Sequence, residues 1–374
     1  MVNFSRSVLL SALAAVEVLA HPGADHRAEA AKRAEQLSHL KTRSLSACSE
    51  KLAARGVTAA AARRRAAVVN ELTKAKLVNR DLDVALNTSH HSNMTGLTPD
   101  VDPSVLFSGN GSCALVPETT QGPYYVAGEY MRSNITEDQV GVPLYIDVQI
   151  IDTNTCEPLE GVALDFWQCN ATGWYSGISA QAGLDTTWLR GIQATDEEGV
   201  VAYQSIMPGH YAGRTHHLHL LAHAPGDWEE LENGTITGAT NTPHIGQLFF
   251  DQDILDELET MEPYSSNTQS WTKNDEDTIV VQEAEATGVD PMVEYVLLGD
   301  SLSDGVFAWA SVGIDPTSVY HVDAAAYHLA EGSYEDACFE MINLAEGDAP
   351  LPDLPASCSS SAVASSTAAT STAA

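Results

Sequence analysis

Between Pro103 and Asp315 apolar and polar residues alternate in short runs, each closed off by Asn, Asp, Gly or Pro. A period of two fits an extended strand, whose successive side chains leave on opposite faces, and does not fit a helix. The run Pro143-Leu-Tyr-Ile-Asp-Val-Gln-Ile-Ile151 is the clearest case, and Val162 to Trp167, Gly199 to Ile206, His216 to Leu221 and Val306 to Val312 repeat it. Asp152-Thr-Asn-Thr155 and Pro208-Gly209 supply turn chemistry between them. Repeated short strands with turns predict a mainly β chain and a β-sandwich over 100–315, rather than a parallel α/β sheet. With 374 residues, 44% of them hydrophobic and 18% charged, the chain holds enough apolar material for a core and cannot be disordered throughout.

Charge divides the chain. Thirteen of the 18 Lys and Arg residues lie between His21 and Arg80; beyond Asp81 only Arg132, Arg190, Arg214 and Lys273 follow. The formal net charge of -33 excludes a non-specific grip on nucleic acid, whose phosphates it repels. The basic stretch 21–80 is Ala-rich, and Leu37, Leu40, Leu45, Leu52, Val68, Val69, Leu72 and Leu77 predict two helices broken around Gly56. It reads as an arm against the acidic domain or a second subunit, as a propeptide with basic sites at Lys32-Arg33 and Arg63-Arg64-Arg65, or as a solvated basic face. In 316–374 a short helix is expected around Ala324 to Leu344, followed by a disordered Ser/Thr/Ala tail from Ser357, suited to O-glycosylation. That tail lacks the apolar end of a GPI signal. No apolar run after the N-terminus is long enough for a membrane span.

Residues 1–20 read as a secretory signal peptide, with Arg6, an apolar Val8–Ala15 core and a Val18-Leu19-Ala20 cleavage site; a short amphipathic or core helix is the competing reading. Six sequons, at Asn87, Asn93, Asn110, Asn134, Asn170 and Asn233, agree with a secreted, extracellular protein. So do the six cysteines, Cys48, Cys113, Cys156, Cys169, Cys338 and Cys358. Of the fifteen connectivities, a turn that returns one strand beside another favours Cys156 with Cys169.

The chemistry concentrates in Gly209-His-Tyr-Ala-Gly-Arg-Thr-His-His-Leu-His219. On a strand His217 and His219 share a face and can share a metal ion, whereas His216 faces the other way and is not a ligand. A lone H-x-H is weak: surface histidine pairs are commoner, and zinc hydrolases use the same spacing with a further ligand. Tyr175, in Gly173-Trp-Tyr-Ser-Gly177, and Tyr211, in Pro208-Gly-His-Tyr211, sit in turns upstream. Each alone reads as a core ring with a bonded hydroxyl. Together, two phenolates, two neutral imidazoles and a hydroxide would suit ferric iron, a hard Lewis acid whose three charges they neutralise.

In order, Gly122-Pro-Tyr-Tyr-Val126, Cys156-Glu-Pro-Leu-Glu-Gly-Val162, Asp165-Phe-Trp-Gln-Cys-Asn170, Gly173-Trp-Tyr-Ser-Gly177, Leu189-Arg-Gly191, Thr195-Asp196, Pro208-Gly-His-Tyr211 and Arg214-Thr-His-His-Leu-His219 resemble the intradiol ring-cleavage dioxygenases, most of all their secreted fungal branch. Several motifs in order are far more specific than one. The resemblance, over roughly Gly122 to Asp315, implies a β-sandwich with a mononuclear non-haem Fe(III), Tyr175 and His217 equatorial, Tyr211 and His219 axial, and Arg214 steadying charge on the substrate. It implies cleavage of a small aromatic diol by O2 between its hydroxylated carbons to a cis,cis-muconate-type product, Tyr211 accepting a substrate proton. Helical N-termini dimerise cytosolic relatives, so residues 27–78 would serve a homodimer, although no motif matches there. Tyr211 and His217 are only six residues apart, where cytosolic relatives place a longer loop, which leaves the substrate open. The acidic domain disfavours anionic substrates and points to neutral catechols and hydroxyquinols. Arg190 reads as a structural ion pair to Asp196 or Glu197, and Arg132 as structural. The competing functions are a degenerate binding protein on this scaffold, a zinc hydrolase built on His217 and His219, and a copper site at a mature His21 terminus.

Overall fold

The computed structural model describes residues 45–76, 113–114, 122, 124–236, 241–281, 291–322, 324–329 and 332–335. The expected signal peptide, the basic stretch before residue 45, the sequons at Asn87, Asn93 and Asn110, Cys338, Cys358 and the tail lie outside them.

The alternating runs become strands. In chain order they are β1 (Cys113–Ala114), β2 (Val126–Ala127), β3 (Pro143–Asp152), β4 (Glu157–Pro158) and β5 (Ala163–Trp167). Next come β6 (Arg190–Ala194), β7 (Val200–Ile206), β8 (His217–His223), β9 (Asn241–Thr242) and β10 (His244–Phe249). Then follow β11 (Glu294–Leu297), β12 (Val306–Ile314), β13 (Tyr320–His321), β14 (Ala326–Leu329) and β15 (Gly332–Glu335). One sheet has the order β1-β12-β3-β4, with β11 also on β12 and β7 also on β3; the other has the order β10-β8-β5-β6. The second sheet is antiparallel throughout, whereas β12 and β3 run parallel, Val306 beside Leu144 and Ile314 beside Asp152.

Both sheets contribute alternate residues to one core. Leu144, Ile146, Val148 and Ile150 of β3 and Val306, Ala308, Ala310 and Val312 of β12 share it with Leu164 and Phe166 of β5 and Leu218, Leu220 and Ala222 of β8. This is the expected sandwich.

The basic stretch is helical where described, in segments Ser49–Ala54 and Val57–Lys76 broken at Gly56, whose φ of +76° suits a residue without a Cβ. The longer helix lies on the outer face of the first sheet, where Val69 packs with Leu298, Phe307 and Trp309. Arg64 pairs with Asp147 at 3.0 Å and also with Glu198, and the Arg65 guanidinium lies 5.6 Å from the Trp309 ring centroid. Asp147 is buried, so these cations offset the desolvation of its carboxylate.

Three expectations are corrected. Cys156 bonds to Cys48 rather than Cys169, which is a buried free thiol pushed up to about 12 by burial. The turn after β3 carries Cys156 toward Leu45, Leu52 and Ile151 on one sheet, while Cys169 follows β5 on the other. The stretch expected to be helical from Ala324 holds β14 and β15, with Tyr327 stacked on Tyr334 across the pair (5.0 Å) and β14 alongside β2; pairing overrides the helix preference of the alanines. Arg190 meets Glu129 at 3.6 Å instead of Asp196 or Glu197.

The disulfide closes a span of 108 residues. Its removal by Cys48→Ser should lower unfolding free energy by about 2–5 kcal/mol, measured by urea denaturation. An unchanged midpoint would mean that the disulfide adds nothing to the domain's stability.

Candidate metal centre

β8 uses its two faces for different purposes. Leu218, Leu220 and Ala222 enter the sandwich core, and His217 and His219 therefore leave on the opposite face. Trp167 lies opposite His219 on β5, and the two rings stack with centroids 4.7 Å apart and planes within 3°. The His217 Nδ1 lies 2.6 Å from the Thr215 carbonyl oxygen, which can only accept, so Nδ1 carries the proton and Nε2 keeps its lone pair.

Tyr175 comes to these nitrogens from the turn between Gly173 and Gly177, whose φ values of +82° and +72° suit glycine. Its Oη is 3.4 Å from Nε2 of His217 and 3.3 Å from Nε2 of His219. The Tyr211 ring is 5.8 Å from that of Tyr175 and 5.5 Å from that of His217. All four residues are buried. Burial pushes both phenols above their ordinary range, only partly offset by Arg214, so ionising either requires a strong positive charge close by. Two phenols and two imidazoles converging in a dry site fit a hard trivalent cation better than zinc.

Arg214 is fully buried beside Tyr211. Its Nη1 donates toward the Tyr211 Oη at 3.4 Å, its Nε donates to Asp277 at 2.8 Å and its Nη2 to Gln247 at 2.6 Å. Asp277 also accepts the Thr215 backbone N–H at 2.8 Å, and its other oxygen takes the N–H groups of Ile279 and Val280. The predicted site residues Tyr175, Tyr211, Arg214, His217 and His219 thus lie together. Asp277 was missed: an Asp ahead of an apolar run signals a helix cap, but nothing local names a partner 63 residues away. Arg190 has a role beyond an ion pair, donating to the Ser176 carbonyl at 2.8 and 3.0 Å and to that of Tyr124 at 2.7 Å, which fixes the backbone next to Tyr175.

A second convergence lies on the reverse side of these segments. His216 turns away from the tyrosines, as expected, and its Nε2 is 2.9 Å from Oε1 of Glu259. The His210 Nδ1 is 3.0 Å from the same oxygen. Burial alone would raise the Glu259 carboxyl; the two imidazole hydrogen bonds outweigh it and hold the group at about 2. No sequence pattern singled out His210 or Glu259.

Removing Asp277 leaves a buried guanidinium without its counter-charge. Asp277→Ala should destabilise by about 3–5 kcal/mol in urea melts. Asp256→Ala, at the exposed pair with Lys273, should leave the midpoint in place. Equal effects would refute the importance assigned to the buried pair.

Residues 120–260 match the family Dioxygenase_C, described as dioxygenase. Among curated proteins, the chain is 31% identical over 98 residues to catechol 1,2-dioxygenase of Candida albicans, covering 24% of this chain and 31% of that protein. It is 32% identical over 97 residues to hydroxyquinol 1,2-dioxygenase of Rhizobium sp., covering 25% and 32%. The matches thus span about a third of the length of these curated relatives. An intradiol ring-cleavage dioxygenase from Tetranychus urticae of solved structure is 30% identical, with 56% of this chain and 98% of that chain covered and a TM-score of 0.47. With the family match spanning the Tyr175–His219 constellation and the curated dioxygenases similar to it, the chain belongs to the intradiol ring-cleavage dioxygenase family.

Proposed function

We propose that this protein is a secreted ferric intradiol dioxygenase, opening a catechol-type ring between its hydroxylated carbons with both atoms of O2 to give a cis,cis-muconate-type product. The observation that carries this reading is the Tyr175 Oη set between the Nε2 atoms of His217 and His219, with Tyr211 closing the fourth side. Tyr175, Tyr211, His217 and His219 would hold the ion. A ferric ion there would bind the two oxygens of the diol and make its ring electron-rich enough to react with O2.

The protein groups do the rest. The Thr215 carbonyl fixes the His217 tautomer, and Trp167 supports the His219 ring. The Tyr211 Oη is the group placed to take a proton from a substrate hydroxyl, becoming a phenol. The Arg214 guanidinium, held by Asp277 and Gln247, faces the same oxygen and stabilises negative charge that develops on the diol. Tyr125, Trp167, Leu221, Ile245 and Ala324 exclude water around this cluster, and half-buried Tyr124, Tyr320 and Val322 add apolar surface that suits a planar ring.

Substrate charge is also constrained. Among the described residues Arg214 and Arg190 are the buried cations beside the site; Arg214 is assigned to the diol oxygens, and Arg190 is drawn to Glu129 and to the Ser176 and Tyr124 carbonyls. A ring carboxylate would find no spare cation, which favours neutral catechols or hydroxyquinols over protocatechuate. Export is supported by the leader, by exposed sequons at Asn134 and Asn233, and by the Cys48–Cys156 bond.

Purified protein should contain one iron and show the burgundy absorption of tyrosinate-to-iron charge transfer, which catechol shifts under O2; colourless zinc protein would refute the assignment. Tyr211→Phe should lose about a hundredfold or more in kcat while retaining its iron; unchanged turnover would remove Tyr211 from the proton transfer. The kcat/KM for catechol should exceed that for protocatechuate by at least about tenfold, and the reverse preference would overturn the neutral-substrate reading.

A further inference from the structure

Of the four candidate ligands, Tyr175 lies well upstream of Tyr211 and His217 in the chain, and one further segment touches the backbone beside all three. It begins at Glu259, at the end of the Gln252–Leu258 helix, and runs to Gln269. Glu259 Oε1 accepts from His210, the residue before Tyr211, and from His216, the residue before His217. Gln269 extends the same ties. Its carbonyl oxygen lies 3.2 Å from His210 Nε2, and its side-chain oxygen accepts the Ala212 N–H at 3.1 Å. Its side-chain amide donates to the carbonyls of Thr172 and Gly173 at 3.0 and 3.1 Å, three and two residues before Tyr175. Asn267 adds a bond from its amide to the His210 carbonyl at 2.8 Å.

The contacts leave little slack. His210 and His216 are buried, and a Cβ at Gly173 would run into the His210 carbonyl and the Gln269 amide, so the turn bearing Tyr175 sits directly on the segment bearing Tyr211. One carboxylate oxygen accepting from two imidazoles fixes the distance between the Tyr211 loop and the start of β8, and therefore the distance between Tyr211 and His217.

We propose that Glu259 and Gln269 are positioning residues that form a clasp behind the metal centre, holding the backbones that carry Tyr175, Tyr211 and His217 at ligand spacing. The proposal rests on the assignment of those residues as ligands. The clasp needs a hydrogen-bond acceptor at position 259 and does not need a charge, so the amide of glutamine would replace it. A metal ion bound by His210, His216 and Glu259 would need the carboxylate itself.

The test compares wild type, Glu259→Gln, Glu259→Ala and Gln269→Ala. Binding of Fe(III) and of Zn(II) to metal-free protein is measured by chelator competition, with the visible band of the iron form and imidazole N–H signals in the metal-free form. Glu259→Ala and Gln269→Ala should each bind metal about tenfold or more weakly and shift the band, and Glu259→Ala should also lose the protected imidazole signals. Glu259→Gln should retain affinity within about threefold, given the usual small net difference between comparable hydrogen bonds, and keep the band and the signals. Wild-type affinity and band position in Glu259→Ala would overturn the clasp. So would a Glu259→Gln variant as impaired as Glu259→Ala, or a second tightly bound metal in wild type that Glu259→Gln abolishes. His216→Phe removes one arm of the clasp alone and serves if Glu259→Ala does not fold; unaltered metal affinity there counts against the proposal. A wild-type protein that takes zinc and refuses iron refutes the ferric reading, while the zinc affinities and imidazole signals still decide the clasp.

Discussion

A β-strand sends neighbouring side chains to opposite faces, and the rest of this molecule depends on how β8 uses that constraint. Leu218, Leu220 and Ala222 join the core between the sheets, which fixes the strand's register and orientation. His217 and His219 are consequently driven to the outer face, next to Trp167 of β5. A one-residue slip would bury the histidines in the core and expose the leucines, so the apolar packing that stabilises the sandwich also aims the candidate ligands.

Placing such a site against the outer face of a sheet requires a cover, and the cover is built from loops with unusual backbone demands. The Gly173–Gly177 turn and the loop at Tyr211 bring phenols over the imidazoles, and buried polar side chains tie the loops down. Arg190 binds the carbonyl of Ser176, Gln269 those of Thr172 and Gly173, and Asp277 the N–H of Thr215. The two buried guanidinium groups beside the site each have a carboxylate close by: Arg214 faces Asp277, and Arg190 faces Glu129. In a chain of net charge -33 this is how two cations remain buried beside two tyrosines at tolerable cost.

The strands and the candidate site residues were legible because both are written locally. Period-two alternation predicted β3, β5, β7, β8 and β12 to within two residues at either end, and H-x-H on a strand separated His217 and His219 from His216. Failures occurred where distant parts meet. Cys156 and Cys169 are close in the chain, yet the strands around them belong to different sheets, so Cys156 finds Cys48 instead. Ala324 to Leu344 looked helical by composition, but the edge of β2 and the Tyr327–Tyr334 stack draw β14 and β15 into a small sheet. Arg190 could be paired on paper with the nearest acids, Asp196 and Glu197; in the fold Glu129 reaches it from another segment.

By itself the sequence determined the kind of structure and which side chains are candidates for its chemistry. Alternation sets the exposed and buried faces of a strand without reference to anything else, and the order of Tyr175, Tyr211, His217 and His219 within their motifs carries the donor chemistry. The tertiary structure alone decided what surrounds and braces those donors. Glu259, Gln269 and Asp277 act on residues about 40 to nearly 100 positions away. A hydrogen bond forms wherever folding brings donor and acceptor within reach, and chain separation leaves no local trace of which groups will meet.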